Sequence, residues 1–443
     1  MKENWRIVIL LGLICLFFGF FRINERYTFE WDQEDDAVKV MNMIEQRKPI
    51  LIGPRVANAN GFFVGPYHYY FLWPFYTATK GDPIAGVIAV IVISIITSIT
   101  GYLVTEKLYG KKAGLTAGII WATTTNIVSW NVMYTTFFGI MGYFLCLKVM
   151  DSKPKFFPWL MLFYGLATTS HLVPISMGLS VLVAWFLADK KPKIRQLFFG
   201  IGLFILPFLP IIIFDLRHDF LNFKKIGEFL FFNKNNGEIN PWWLFLRSFW
   251  RGLNLNIFSW DIYSQKILVF FCNLLVLAIV ALEVWQLKIK QKILTVVWIL
   301  TPLIILGFYR GNIPEYYYGL SLSILPIFLG KNFSRLKRTT VILILLVLVG
   351  VRFLKIEKSR PFVSLNDKRK IVEYMVNQKN DEFFNISYDL GSGMDTGYNY
   401  LFRFYRKEPE NSEKGHLYTV VLTKDVDESE ILVRSNNIGV VRR

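Results

Sequence analysis

The feature that most constrains this chain is its series of long apolar runs. They cover roughly 5–22, 84–104, 113–130, 135–150, 157–171, 173–188, 197–214, 266–287, 293–309, 317–330 and 339–354. A helix of about 20 apolar residues spans a bilayer core. The runs therefore predict a polytopic α-helical membrane protein with about eleven transmembrane helices. Pro174, Pro207, Pro210, Pro302 and Pro326 lie within them and predict kinks or breaks, because proline removes a helical N–H. The first run has a short basic front but no small-residue cleavage site after it, so it reads as a retained anchor.

The net charge of +17 could suggest nucleic acid. The lysines and arginines instead collect in short connectors between apolar runs. Lys2 and Arg6 form one group, followed by Lys107, Lys111 and Lys112, then Lys153 and Lys155. Lys190, Lys191, Lys193 and Arg195 follow, then Lys288, Lys290 and Lys292, and finally Lys331, Arg335, Lys337 and Arg338. The opposing connectors, near 126–134 and near His171, carry no Lys or Arg. The positive-inside rule places the basic set in the cytoplasm. The expectation is a multi-pass plasma-membrane protein with its amino end inside and its carboxyl tail outside. Its partner is the lipid bilayer and not nucleic acid. Cys15, Cys146 and Cys272 each lie in an apolar run and form no zinc or disulfide spacing.

Two domains are expected. Residues 1–354 form the transmembrane part, with outer loops at 23–83 and 215–265. Residues 355–443 form a small extracytoplasmic α/β domain, with a helix near 367–377 and strands near 383–388, 417–422 and 438–441. The tryptophans of the second loop suit helices lying in the interface.

The first outer loop opens on FEWDQEDDA, in which Glu30, Asp32, Glu34, Asp35 and Asp36 are acidic. Two Gly-Pro pairs follow, Gly53-Pro54 and Gly65-Pro66, and then the aromatic run YHYYFLW. One reading is a solvated acidic loop with an interfacial anchor. The other is a catalytic carboxylate cluster at the membrane surface, where an acid serves as general base. Few ionisable groups fall inside the apolar runs, which argues against an ion-coupled transporter. Cations on the outer side, including Arg55, Arg217, His218 and Arg310, could hold a phosphate.

The layout resembles the C-type glycosyltransferases that use polyprenyl-phosphate sugars, in particular the protein O-mannosyltransferase and aminoarabinose transferase superfamily. WDQEDDA is similar to that family's acidic motif after the first span. LIGP at 51–54 and GPYHYYFLWP at 65–74 resemble the rest of the signature. The resemblance implies transfer of a sugar from a polyprenyl-phosphate donor to an extracytoplasmic acceptor, by inverting displacement. It places Asp32 as catalytic base, with Asp36 and Glu34 as further catalytic acids. Arg55, Arg217, Arg310 and His218 become donor-phosphate ligands, and Tyr69, Tyr70 and Tyr317 substrate contacts. It implies no cofactor and no metal, although the acids could hold a divalent ion. Many relatives carry a second acid before the fourth span, where this chain has Asn131. A flippase or transporter of lipid-linked sugars, or an inactive scaffold, would share the same spans.

Overall fold

A computed structural model describes residues 4–56, 61–229, 242–257, 266–307, 313–378, 384–410 and 415–443. Each apolar run is helical over at least part of its length. Among the described residues six helices, Ile84–Tyr109, Asn131–Met150, Ile194–Arg217, Lys266–Trp285, Ile289–Gly307 and Arg338–Lys358, are long and apolar enough to cross a membrane. The apolar helices Asn4–Phe20 and Val173–Leu187 are shorter. The run at 113–130 is helical only to Thr123, beyond which the backbone is irregular. The prolines act as expected at Pro174 and Pro207, which lie in 3-10 turns between α-helices, and at Pro326, which stands in the first turn of a new helix; Pro302 lies inside the helix Ile289–Gly307.

The first helix, α1 (Asn4–Phe20), ends where Arg22 adopts a left-handed conformation, φ 51°. Arg26, in the short helix α2 (Ile23–Arg26), turns back and donates to the carbonyls of Phe18 and Phe21 at 3.0 and 2.6 Å. A cation on the last carbonyls of a helix complements its negative end.

The stretch expected as the first loop is mostly structured. It holds α3 (Trp31–Gln46) and α4 (Tyr67–Ala78), joined by a hairpin-like segment. α3 starts at Trp31, so Asp32, Glu34, Asp35 and Asp36 occupy its first two turns and Glu30 its N-cap. Gln33 supplies a capping bond to the Glu30 N–H at 3.0 Å and donates to Ser129 O at 2.9 Å. The two Gly-Pro pairs meet: Gly53 N–H donates to Val64 O at 2.8 Å, and a Cβ on Gly53 would stand 2.0 Å from Gly65 O. Only glycine allows that approach. Gly65 N–H in turn donates to Thr169 O at 2.7 Å, fixing the hairpin to the transmembrane part. From the second loop, the buried Asn222 side chain pairs with both the N–H and the C=O of Phe63, at 2.6 and 3.1 Å.

The carboxyl-terminal unit contains helices Leu365–Val376 and Tyr398–Phe404 and four strands, β1 (Phe384–Asp389), β2 (His416–Leu422), β3 (Val433–Ser435) and β4 (Ile438–Arg442). The sheet order is β1-β2-β4-β3, with β1 parallel to β2 and the other pairs antiparallel. Ile371, Val372 and Leu401 share one apolar cluster with Tyr27, Val40, Tyr69 and Tyr76 of the 23–83 stretch. The small unit thus buries its apolar face against the acid-bearing helix.

Candidate active site

Asp32, Asp35 and Asp36 of α3 line one cavity, whereas Glu34 turns away from it, and each acid has different partners. Asp32 lines a cavity of about 230 Å³, together with Asp35, Arg55, Asn131, His171 and Tyr317 among others. Its carboxylate has no hydrogen bond or ion pair among the described residues. Asp36 lies one turn further along and is buried, bound to His68 Nε2 at 2.7 Å. His68 Nδ1 in turn meets Tyr134 Oη at 3.1 Å. All three polar groups are satisfied when Nε2–H donates to Asp36 and Tyr134 O–H donates to Nδ1. Asp35 pairs with Lys39 one turn along the helix.

Glu34 turns the other way. Its two oxygens accept from Gly397 N–H and Tyr400 N–H at 2.7 and 2.9 Å, at the amino end of the Tyr398–Phe404 helix. A carboxylate there satisfies orphan donors and the positive helix end. It does not line the acid cavity.

The remaining residues singled out in sequence divide in the same way. Arg55 and Tyr317 line the acid cavity. The Arg55 guanidinium sits 4.8 Å from the Phe63 ring centre, and the Tyr317 ring 5.1 Å from that of His171. Arg217 and His218 are exposed at the end of the Ile194–Arg217 helix, and His218 stacks on Phe214. Neither lines the cavity. Tyr69 is fully buried, and Tyr70 donates to Ile50 O at 2.5 Å. Arg310 lies outside the described residues.

Residues 64–214 match the family described as dolichyl-phosphate-mannose-protein mannosyltransferase. No curated protein matches the chain in sequence. In structure it is similar to ArnT from Cupriavidus metallidurans bound to undecaprenyl phosphate, with a TM-score of 0.65 and 12% identity. That match covers 100% of this chain and 98% of the other. The apo ArnT structure matches equally, with a TM-score of 0.65 and 12% identity, over 100% and 98% of the two chains. The archaeal oligosaccharyltransferase AglB from Archaeoglobus fulgidus, in complex with an inhibitory peptide and a dolichol-phosphate, matches with a TM-score of 0.50 at 11% identity. It covers 86% of this chain and 59% of that one. The chain has the C-type glycosyltransferase fold.

In this glycosyltransferase fold the acid cavity has unequal electrostatics. Burial by the surrounding protein, and then the charges of Asp36 and Asp35, push the Asp32 carboxyl above its usual range. Asp32 is nonetheless open to the cavity, so it is accessible to a ligand. His171 is buried and pushed down to about 4 by desolvation. Its Nδ1 accepts from Val173 N–H at 3.3 Å, leaving Nε2–H as the donor of a neutral ring. Asn131 occupies the cavity wall and donates to Ser170 O at 2.9 Å. Among the described residues no group of three or more His, Cys, Asp or Glu is arranged to hold a metal ion.

Sequence reasoning missed His68 and His171 as parts of this region. His68 sat inside an aromatic run and His171 between Ser170 and Leu172, 32 and 135 positions from Asp36. Only the fold brings them to the acids.

Proposed function

We propose that this protein is a membrane glycosyltransferase that moves a sugar from a polyprenyl-phosphate donor to an extracytoplasmic acceptor. One observation carries the reading: an accessible, unpartnered carboxylate, Asp32, and a cation, Arg55, line the same cavity. In the reaction, Asp32 takes the proton from an acceptor hydroxyl or amine. The freed oxygen or nitrogen bonds to the anomeric carbon as the bond from that carbon to the phosphate oxygen breaks. Polyprenyl phosphate leaves, and Arg55 stabilises its charge. Attack from the face opposite the leaving group inverts the anomeric centre. Tyr317 lines the sugar's surroundings. Asp36 is the second acid, held by His68, and Glu34 acts through its hold on the carboxyl-terminal unit. The transferred sugar is a hexose or a pentose.

The orientation we assign is amino end inside and carboxyl-terminal unit outside. Two sets of contacts support it. The basic connectors cluster together: Asp189 pairs with Lys290 and accepts from Ser152, and Lys112 donates to Leu336 O. The connectors without basic residues cluster with the acid helix instead, through Gln33 to Ser129 and Asn131 to Ser170.

The test uses membranes containing the protein, supplied with radiolabelled polyprenyl-phosphate sugars. Asp32→Asn keeps the size of the side chain and removes the base. Turnover should fall by about 10²-fold or more, the usual scale for general-base catalysis. Turnover at the parent rate would remove Asp32 as the base.

A further inference from the structure

Lys368 is an unusual charge to find inside the protein. It stands in the first turn of the helix Leu365–Val376 of the carboxyl-terminal unit, and it is 2% exposed. The positive end of a helix does not favour a cation, and a buried ammonium persists only where its donors are met. Its Nζ donates to Phe29 O at 2.9 Å and to Thr396 O at 2.8 Å, and lies 5.6 Å from the centre of the Tyr398 ring. Burial pulls its pKa down to about 8, while the charges of Glu30, Glu34 and Asp395 act the other way. It therefore stays mostly charged at neutral pH.

Phe29, which receives this bond, is itself in an uncommon state. Its φ is 51°, in the left-handed region that a bulky side chain rarely enters. It directly precedes Glu30, the N-cap of α3. Such a conformation persists only where its surroundings over-determine it. Here the carboxyl-terminal unit supplies those surroundings. Lys368 holds the Phe29 carbonyl, and Leu365 N–H donates to Tyr27 O at 2.6 Å. Gly397, with φ 88°, passes so close that a Cβ on it would stand 2.5 Å from Phe29 O.

Asp32 sits in the first turn of α3, and its carboxylate has no partner among the described residues. The backbone of that turn is therefore what places it. The transmembrane part holds the turn from one side, through Gln33 and Ser129 O. The carboxyl-terminal unit holds it from the other, through Lys368 and through the N–H groups that Glu34 accepts. We propose that Lys368 is a positioning residue for Asp32: by gripping the Phe29 carbonyl it fixes the start of α3 and so aims the base at the acceptor. The inference rests on the glycosyl-transfer reading above, and it gives the small unit a part in the reaction beyond packing.

The test uses the purified full-length protein and two variants that disturb the same carbonyl. Lys368→Met keeps the length of the side chain and removes the donors, and Gly397→Ala pushes on Phe29 O with Lys368 intact. In each, amide hydrogen exchange over residues 27–36 should rise about tenfold or more, while that of the helix Ile84–Tyr109 stays at the parent level. Transfer from a radiolabelled polyprenyl-phosphate sugar should lose about 10²-fold in kcat, the cost of displacing a catalytic group by about 1 Å. The KM for the donor should not change. Adding Lys368→Met to Asp32→Asn should bring no further loss, because residues that act as one unit are not additive. Faster exchange with the parent kcat overturns the proposal, since the grip would then be structural only. A further loss in the double variant also overturns it, because Lys368 would act elsewhere than through Asp32. Should Lys368→Met fail to fold, Gly397→Ala with the parent kcat overturns it in the same way. Asp32→Asn transferring at the parent rate would remove the catalytic reading itself, whatever the exchange shows.

Discussion

His68 Nε2 lies 2.7 Å from Asp36 Oδ2, and both side chains are buried. The pair bridges α3 and α4, the two helices on either side of the Gly-Pro hairpin. It holds Asp36 one helical turn from Asp32, with Tyr134 closing the far side of the ring.

Removing His68 should therefore destabilise the region. His68→Phe fills the space but leaves the Asp36 carboxylate without a donor. A buried acceptor stripped of its partner costs about 1–3 kcal/mol, and more when charged. Unfolding in detergent, followed by scanning fluorimetry, reads the loss. Asp36→Leu in the same chain should restore part of it, since replacing both partners removes the unmet group. A double variant no better than the sum of its parts would show that the bond matters little.

Asp32 should set the acid limb of the pH–rate profile. A base works only when ionised, so activity falls as pH drops through its raised pKa. The limb should lie above the ordinary aspartate value. Asp35 is a partly exposed acid whose charge raises Asp32. Asp35→Asn should shift the limb to lower pH with little change in the plateau rate. A limb that does not move would place the titrating group elsewhere.

Stability should also depend on His171. Its folded pKa, about 4, is below the ordinary 6.5. Between those values the unfolded chain binds more protons than the folded one. Stability from this group is therefore complete above pH 6.5 and declines as pH falls toward 4, by up to about 3 kcal/mol at one pKa unit per 1.4 kcal/mol. Thermal melts of the parent and His171→Asn across that window should converge at the acid end. Parallel curves would contradict the assignment.

Glu34 should matter for docking of the carboxyl-terminal unit. It accepts two backbone N–H bonds at the start of the Tyr398–Phe404 helix, and Lys368 donates nearby to Phe29 O and Thr396 O at 2.9 and 2.8 Å. Hydrogen bonds to a charged group contribute roughly 1.5–3 kcal/mol. Glu34→Ala should expose the small unit to limited proteolysis at protease levels the parent resists, and Glu34→Gln should do so less. Identical digestion of all three would remove this role.

Topology can be read directly. A cysteine at the exposed Glu430, in a chain with Cys272 replaced by serine, should react with a membrane-impermeant thiol reagent on intact cells. Labelling only after lysis would reverse the orientation.

Much of this protein is legible in its sequence because lipid demands it. Apolar runs between basic connectors admit helices and little else, since every backbone group inside a bilayer must bond within its own segment. Three strands of the carboxyl-terminal unit also show in the sequence, whereas the short β3, Val433–Ser435, does not. The acid motif named Asp32, which the fold leaves open to a cavity. Tertiary structure decided the partners. Which acid is free, which meets a histidine and which caps a helix depends on the rotation of α3 against α4 and the small unit. Asp32 and Asp36, one helical turn apart, line the same cavity, yet Asp36 is held by a buried histidine ring and Asp32 has no partner among the described residues. His68 and His171 carry no local pattern that marks them as neighbours of the acids. Their roles arise from contacts between residues tens to hundreds of positions apart, which periodicity along the chain cannot encode.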